Sequence, residues 1–299
     1  MAPQSLTLTE ADCVLRAEPI CGESPMWSVA EQVLYWVDNA GGKIHRFRPD
    51  HGTDEVFSLP DEVNSLVLRQ RGGLALALRH DFALYDTATG HLERLMDPER
   101  DKPTHRFNDG KCDRQGRYWA GTMDDVHWAA PVGALYRLDA DHQVSRLWTE
   151  VACANGLGWS PDDRTFYFGE SFRFAIFAYD FDPESGAITN RRLFASIDRA
   201  GGAFPDGLTV DAEGGVWSVH NSVGRVVRYD PAGSVTHVVT LPVPQPTSCI
   251  FGGARLDTLY ITTSRQNMTA TQLAAAPLSG SLFALRPGFL GLPEVGFAG

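Results

Sequence analysis

Residues 206–221 read DGLTVDAEGGVWSVHN, and this stretch is the clearest guide to the fold. A polar residue leads into a short, mostly apolar run, which is followed by a turn rich in glycine and acidic residues and then by β-branched and aromatic residues. This pattern predicts two short strands joined by a tight turn. Residues 155–170, NGLGWSPDDRTFYFGE, have the same form. Two such copies indicate a repeated structural unit.

The unit occurs six times. The other copies begin at ESPMW (23–27), NSLVL (64–68), NDGKC (108–112) and SCIF (248–251). The leading polar residues are separated by 41, 44, 47, 51 and 42 positions, a mean of 45, and they are Glu23, Asn64, Asn108, Asn155, Asp206 and Ser248. A third strand-like segment follows each copy, and most copies show a weaker fourth. Four strands recurring at this interval are typical of a β-propeller blade.

We therefore expect an all-β fold, a six-bladed β-propeller with four antiparallel strands per blade. The sixth copy lacks a convincing fourth strand, whereas CVLRAE at residues 13–18 precedes the first copy. This N-terminal strand is predicted to complete the last blade and close the ring, which removes an exposed sheet edge. The chain 1–299 then forms a single domain with a flexible tail at residues 1–10. Two β-sandwiches would need a linker and a change of pattern, and the sequence has neither.

The composition of the chain excludes several classes of binding partner. Lys and Arg number 26 against 37 Asp and Glu, and a net charge of −11 argues against nucleic acid or anionic membrane as partners. The five cysteines form no CxxC pair, and the N-terminus lacks the basic and apolar segments of a secretory signal. We expect reduced thiols and a cytoplasmic protein. The sequence is compatible with a monomer and leaves the oligomeric state open.

The first strand of a propeller blade lies innermost, so the six leading residues should meet at one mouth of the central channel. Two of them, Glu23 and Asp206, are carboxylates that repel each other unless a proton or a cation intervenes. Together with asparagine oxygens they make a site suited to a hard or borderline divalent cation. Strand capping explains Asn64 and Ser248 equally well. His127 and His220 follow second strands near the mouth, although an ordinary surface or buried role is the simpler interpretation.

Longer motifs carry a resemblance to a known family. They are GESPMW (22–27), RFNDGKCDRQGRYWAGTM (106–123), NGLGWSPD (155–162), PDGLTVDAEGGVW (205–217) and TSCIFGG (247–253). In this order, and over nearly the whole chain, they resemble the SMP-30/gluconolactonase/LRE-like family. The resemblance implies one catalytic divalent cation (Ca²⁺, Zn²⁺, Mn²⁺, Mg²⁺ or Fe²⁺) held by Glu23, Asn155 and Asp206. It also implies substrate contacts from Arg106, Asn108 and Asp125, the last standing where regucalcin-like members have glutamate.

The implied activity is hydrolysis of a sugar aldonolactone, a small molecule, to the open-chain sugar acid in carbohydrate catabolism. Asp206 would act as general base or proton shuttle, with a role as cation ligand alone as the alternative. Asp109 would support the cation site from the turn rather than contact the cation directly. Two other functions stay open, a propeller hydrolase of aryl esters or organophosphates and a non-catalytic protein-binding propeller. The sugar, its ring size and the physiological cation are not fixed by the sequence.

Overall fold

The computed structural model describes residues 7–299, which form six β-sheets placed around a central axis. The strands are β1 (Thr7–Glu10), β2 (Asp12–Leu15), β3 (Gly22–Ser28), β4 (Val33–Asp38), β5 (Lys43–Arg48), β6 (Thr53–Ser58), β7 (Val63–Leu68), β8 (Leu74–Leu78), β9 (Phe82–Tyr85), β10 (Leu92–Met96), β11 (His105–Cys112), β12 (Tyr118–Asp124), β13 (Gly133–Leu138), β14 (Val144–Val151), β15 (Ala154–Trp159), β16 (Thr165–Glu170), β17 (Ala175–Asp182), β18 (Ala187–Ser196), β19 (Phe204–Val210), β20 (Val216–Asn221), β21 (Arg225–Tyr229), β22 (Val235–Thr240), β23 (Pro246–Gly252), β24 (Thr258–Thr263) and β25 (Leu282–Leu285). A short helix, α1 (Ala270–Ala275), and two 3-10 turns, Ser171–Arg173 and Arg199–Gly201, complete the elements.

Each of the first five blades consists of four consecutive antiparallel strands, β3–β6, β7–β10, β11–β14, β15–β18 and β19–β22. The first strand of each blade contacts the first strand of the next, and β23 contacts β3, so these six strands surround the axis. The second strand of a blade is buried on both faces, as in β4, where the apolar run VLYWV ends at the buried Asp38. The fourth strand is largely exposed, as in β6, which explains its weaker sequence pattern. The predicted six-bladed propeller is confirmed.

The N-terminal segment closes the ring. Blade six contains β23, β24 and β25, and β2 adds its fourth strand through antiparallel pairs such as Asp12 with Ala284, as predicted. The strand β1 lies parallel to β22 and gives blade five a fifth strand. The predicted flexible tail at residues 1–10 therefore differs from the structure at residues 7–10, which pair with the otherwise open edge of blade five. Residues 1–6 lie outside the described residues.

The core lies between the blades. Apolar side chains on facing sheets pack together, for example Trp119 of blade three with Leu157 and Phe166 of blade four. Trp36, Trp119 and Trp217 are among the largest fully buried side chains. All five cysteines are free thiols. Within residues 7–299 no helix has the length and apolar character needed to cross a membrane.

A buried aspartate fixes the first turn of blade five. Asp211 is fully buried, and its Oδ1 accepts the backbone N–H groups of Glu213 and Gly215 at 3.0 and 2.8 Å. Its Oδ2 accepts from Trp217 Nε1 at 2.8 Å and from Arg228 Nε at 2.7 Å. In blade three an equivalent aspartate takes two backbone N–H groups, an indole N–H and an arginine Nε. This arrangement gives the spacing D-x-x-G-x-x-W in DRQGRYW and DAEGGVW a physical cause.

The segment 288–299, called here the C-terminal strap, crosses the end of the propeller that carries the turns after the inner strands. Its backbone bonds to those turns in blades two, three, five and six. Phe297 is fully buried, and Glu294 pairs with Lys111 of β11 at 3.1 Å. The strap therefore ties four blades together at the end opposite the leading polar residues.

Candidate functional site

Each inner strand is irregular at the same place. The register with the second strand shifts between Glu23 and Met26, Val63 and Ser65, Phe107 and Gly110, Asn155 and Leu157, Pro205 and Leu208, and Pro246 and Cys249. Every leading polar residue lies at such a shift, and a β-bulge changes the direction in which a side chain points. Gly156 has a φ of +57°, and a Cβ there would lie 2.8 Å from the backbone oxygen of Asp206, so the position requires glycine.

A cavity of about 280 Å³ opens at this end of the channel. Its wall includes Glu23, Arg106, Asn108, Asn155 and Asp206. Of the six leading residues the structure thus brings four to one cavity, together with the arginine that the family resemblance indicated. The rest of the wall carries aromatic and amide side chains, among them Trp128, Phe172, Phe204, Gln245, Gln266 and Asn267. A concave site with a few converging polar groups is typical of small-molecule binding.

Two carboxylates in this cavity have neutral hydrogen-bond donors. The carboxylate of Glu23 accepts from the backbone N–H of Ser24 at 3.0 Å, and that of Asp206 accepts from Asn221 Nδ2 at 2.9 Å. Burial, together with the charges of Asp206 and Asp109, raises the pKa of Glu23 well above its usual range. Burial, with the charge of Asp109, raises the pKa of Asp206 to about 7. Both carboxylates are thus poised to accept a proton or a cation.

A directed hydrogen-bond chain joins the other polar residues of the cavity. Arg106 Nη1 donates to Asn108 Oδ1 at 2.9 Å, Asn108 Nδ2 donates to Asn155 Oδ1 at 3.0 Å, and Asn155 Nδ2 donates to Ser171 Oγ at 2.8 Å. An amide oxygen has two lone pairs, so Asn155 Oδ1 keeps one for a further partner. Ser171 and Asn221 were not predicted from the sequence, because neither occupies a leading position of the repeat.

Asp125 lies against Arg106 rather than on the cavity wall. Its Oδ1 accepts from Arg106 Nε at 2.8 Å and its Oδ2 from Arg79 Nη2 at 2.9 Å. Although burial opposes the shift, the two guanidinium groups lower the pKa of Asp125. In this arrangement the carboxylate fixes the orientation of Arg106, and its predicted contact with sugar hydroxyls stays a prediction. Arg79, at the end of the LALALR run, also pairs with Asp125, and the repeat pattern did not indicate this role.

The remaining candidates lie beside or beneath the cavity. Asn64 Oδ1 accepts from Arg106 Nη1 at 3.4 Å. Ser248 and Asp109 line a second, smaller cavity of about 20 Å³. Asp109 accepts the backbone N–H groups of Gly110 and Gly156 at 2.7 and 2.8 Å, and burial raises its pKa. Its contacts therefore agree with the predicted supporting role, since they hold the bulge next to Asn155.

Neither histidine lines the main cavity. His220 is buried, and its Nε2 lies 3.1 Å from the hydroxyl of Tyr229. The largely exposed His127 side chain lies 3.2 Å from Asp124. The simpler interpretation of both residues, one buried and one at the surface, agrees with these positions.

The donor groups fit a hard divalent cation. Glu23 and Asp206 supply carboxylate oxygens, and Asn155 supplies an amide oxygen with a free lone pair. Among residues 7–299 no three His, Cys, Asp or Glu side chains group as a metal site, so the third donor of this set is an amide. An all-oxygen set of this kind suits Ca²⁺, Mg²⁺ or Mn²⁺.

The six-bladed propeller fold and the motifs that line its axial cavity together place the chain in one class of protein. The SMP-30/Gluconolactonase/LRE-like region is matched over residues 21–265, and the chain belongs to this family.

Individual relatives cover almost the whole chain. It is 41% identical over 291 residues to a 6-deoxy-6-sulfogluconolactonase of Pseudomonas putida, with 96% of this chain and 98% of that protein covered. It is 36% identical over 296 residues to the regucalcin of Homo sapiens, with the same coverage of 96% and 98%. Among solved structures, a calcium-binding protein named regucalcin from Agrobacterium tumefaciens superposes with a TM-score of 0.93 at 25% identity, covering 98% of this chain and 99% of that one.

Proposed function

We propose that this protein hydrolyses a sugar aldonolactone to the open-chain acid, using one divalent cation held by Glu23, Asn155 and Asp206. The observation that carries the proposal is the convergence of two half-buried carboxylates and an oriented amide oxygen in a cavity of small-molecule size, about 280 Å³. The lactonase activity in the name of the Pseudomonas putida relative supports the same class of substrate.

When bound, the cation would supply Lewis-acid polarisation of the lactone carbonyl. Asp206 is the candidate general base, because its carboxylate lines the cavity, where it can contact both the cation and the attacking water. Water adds to the carbonyl carbon, Asp206 takes one of its protons, the ring C–O bond breaks, and the proton passes to the leaving hydroxyl oxygen. Asn221 orients Asp206 for this step through its hydrogen bond at 2.9 Å.

Arg106 and Asn108 differ in the hydrogen-bond donors that they have available for a sugar. Both Nδ2 hydrogens of Asn108 are engaged, by Ala154 O at 2.8 Å and by Asn155 Oδ1 at 3.0 Å. Arg106 Nε and Nη1 are engaged by Asp125 and Asn108 among others, whereas its Nη2 has no hydrogen-bond partner within residues 7–299. We therefore assign to Arg106 Nη2 the donation of hydrogen bonds to a substrate oxygen, and to Asn108 the orientation of its two neighbours.

The test is lactone hydrolysis by a chelator-treated preparation to which Ca²⁺, Mg²⁺, Mn²⁺, Fe²⁺ or Zn²⁺ is returned separately. The substrates are neutral pentono- and hexonolactones and a sulfonated hexonolactone, assayed by acid release above the spontaneous rate. We expect chelation to abolish turnover and at least one cation to restore it. Asp206→Ala should lose about 100-fold or more of kcat, since general base catalysis alone contributes roughly that much.

Asp180→Asn is a matched control, because Asp180 is an exposed carboxylate of blade four that pairs with Arg192 at the surface. Wild-type turnover by the chelated protein, or by a folded Asp206→Ala variant, would overturn the mechanism. Turnover of an aryl ester or an organophosphate in place of every lactone would assign the protein to the other hydrolase class. An absence of turnover with any of these substrates would favour a binding role.

A further inference from the structure

Ser171 lies where blades four and five meet in the cavity. It begins the 3-10 turn Ser171–Arg173 directly after β16, and it is 6% exposed. Its Oγ is 2.8 Å from Asn155 Nδ2 and 2.8 Å from the backbone oxygen of Pro205, which precedes Asp206. One hydroxyl group thus contacts a candidate cation ligand in blade four and the backbone next to another in blade five.

The protons and lone pairs on each group determine the direction of these two hydrogen bonds. The Pro205 oxygen is a carbonyl and can only accept, so the single hydroxyl proton of Ser171 is donated to it. Ser171 Oγ is then left with lone pairs toward Asn155, and only the Nδ2 end of that amide can match them. The oxygen end of the Asn155 amide must therefore point the other way.

The Arg106 end of the hydrogen-bond chain requires the same orientation of the Asn155 amide. Arg106 has donors only, so Asn108 must turn its Oδ1 toward Arg106 and its Nδ2 toward Asn155. Asn155 is 7% exposed, so water is not a ready substitute for either partner. Without the Ser171 hydroxyl, Asn155 Nδ2 keeps only the Cys153 sulfur, at 3.7 Å, as a nearby acceptor among the described residues. Rotation of the amide would then point N–H groups at a cation.

We propose that Ser171 is a positioning residue for the cation site, holding Asn155 Oδ1 toward the cation and tying Asn155 to the strand that carries Asp206. The inference rests on the proposed function, because it takes Asn155 as a cation ligand. Ser171 itself need touch neither the cation nor the substrate. Its effect should therefore appear in cation affinity and disappear from turnover once the cation is saturating.

The experiment is calorimetric titration of Ca²⁺ into the metal-free, full-length protein. Ser171→Ala should raise the Kd for Ca²⁺ by about 10- to 100-fold, the usual effect of removing a residue that orients a ligand. At saturating Ca²⁺ its kcat should return to about the wild-type value. Ser171→Thr keeps the hydroxyl and should restore Ca²⁺ affinity. Should Ser171→Ala fail to fold, Ser171→Cys provides the same test, because a thiol is a weaker donor and acceptor and should also raise the Kd.

Ser160→Ala is the matched control. Ser160 lies in the same blade, beyond the other end of β15, and is 8% exposed. Its Oγ donates to Asp162 at 2.6 Å and accepts the N–H of Thr165 at 2.9 Å, so its removal also costs hydrogen bonds. This variant should lower the Tm and leave the Kd for Ca²⁺ unchanged.

The outcomes separate the two proposals. A wild-type Kd in Ser171→Ala, or an equal loss of affinity in Ser160→Ala, would overturn the positioning role while cation binding and lactone hydrolysis by the wild type still stood. A wild-type protein that hydrolyses lactones but binds none of the divalent cations would overturn the cation site, and the positioning role with it.

Discussion

Replacing Asp211 by alanine should test how the inner turns of the blades are held. The carboxylate is fully buried and accepts hydrogen bonds from two backbone N–H groups, from Trp217 and from Arg228. Arg228 is itself only 5% exposed, and its guanidinium lies over the ring of Phe289 at 3.9 Å. Asp211→Ala therefore removes the buried partner of this guanidinium group, which keeps only the exposed Glu213 carboxylate at 3.7 Å.

The expected loss can be estimated from these contacts. Breaking a buried ion pair by removing one partner costs about 3–5 kcal/mol, because the other charge is left uncompensated. Each lost backbone hydrogen bond adds about 1 kcal/mol. We expect the free energy of unfolding to fall by about 5–7 kcal/mol. Combining the change with Arg228→Met should recover about 2 kcal/mol, since the unpaired charge is then removed as well.

Urea unfolding at pH 7, followed by tryptophan fluorescence and circular dichroism, measures these differences. Asp230→Ala is the matched control, because Asp230 accepts two backbone N–H groups in the turn between β21 and β22 of the same blade and is more exposed. It should cost about 2 kcal/mol, since two backbone hydrogen bonds are lost. Equal losses in Asp211→Ala and Asp230→Ala would refute the assignment of the larger part to the buried pair. Failure of Arg228→Met to recover stability in the double variant would do the same.

Three further outcomes follow from other polar and apolar groups. Glu23→Gln removes one of three neighbouring negative charges, the others being Asp109 and Asp206, so the metal-free variant should melt above the metal-free wild type at pH 8 and should not bind Ca²⁺; a lower Tm would contradict this. Burial, with a smaller contribution from the charge of Arg225, lowers the pKa of His220 to about 4. The unfolded chain, with a histidine pKa near 6.5, therefore takes up the proton first, and the free energy of unfolding should fall by about 3 kcal/mol as the pH drops from about 6.5 to below 4. Urea titrations of His220→Gln should lack that part of the pH dependence, and an unchanged profile would show that His220 is not its source. Phe297→Ala in the C-terminal strap should cost about 3–5 kcal/mol in the same assay, and a loss below about 1 kcal/mol would mean that the strap adds little stability.

The blades were predictable because each is specified locally. A second strand buried on both faces is mostly apolar, and the turns are rich in glycine and aspartate, so the run VLYWVD at residues 33–38 coincides with β4. The closing strand was predictable because the last blade was one strand short. The parallel strand β1 was not, since its position depends on an open sheet edge formed by residues more than 200 positions away, Val235–Thr240.

The residues of the candidate site likewise fall into those that the sequence predicted and those that it did not. Glu23, Asn108, Asn155 and Asp206 occupy equivalent positions of the repeat, so spacing alone placed them in one region, and the shared bulges explain why. Ser171 was not foreseen because its contacts depend on the approach of blade five to blade four. Likewise the position of Asp125 follows from two arginines of different blades, which no local pattern records.

Closure of the ring by β2 has a consequence for how the chain reaches its fold. Asp12 pairs with Ala284, 272 positions later, so β2 is synthesised well before β25, the strand with which it pairs. Blades one to five can form in sequence from local hairpins, whereas blade six depends on one of the longest loop closures in the molecule. Until that step β25 is an unpaired strand edge, and the facing sheets of blades one and six are not held together, so the molecule presents surfaces through which incompletely folded β-proteins associate. Refolding should therefore be slow in its last phase and sensitive to protein concentration.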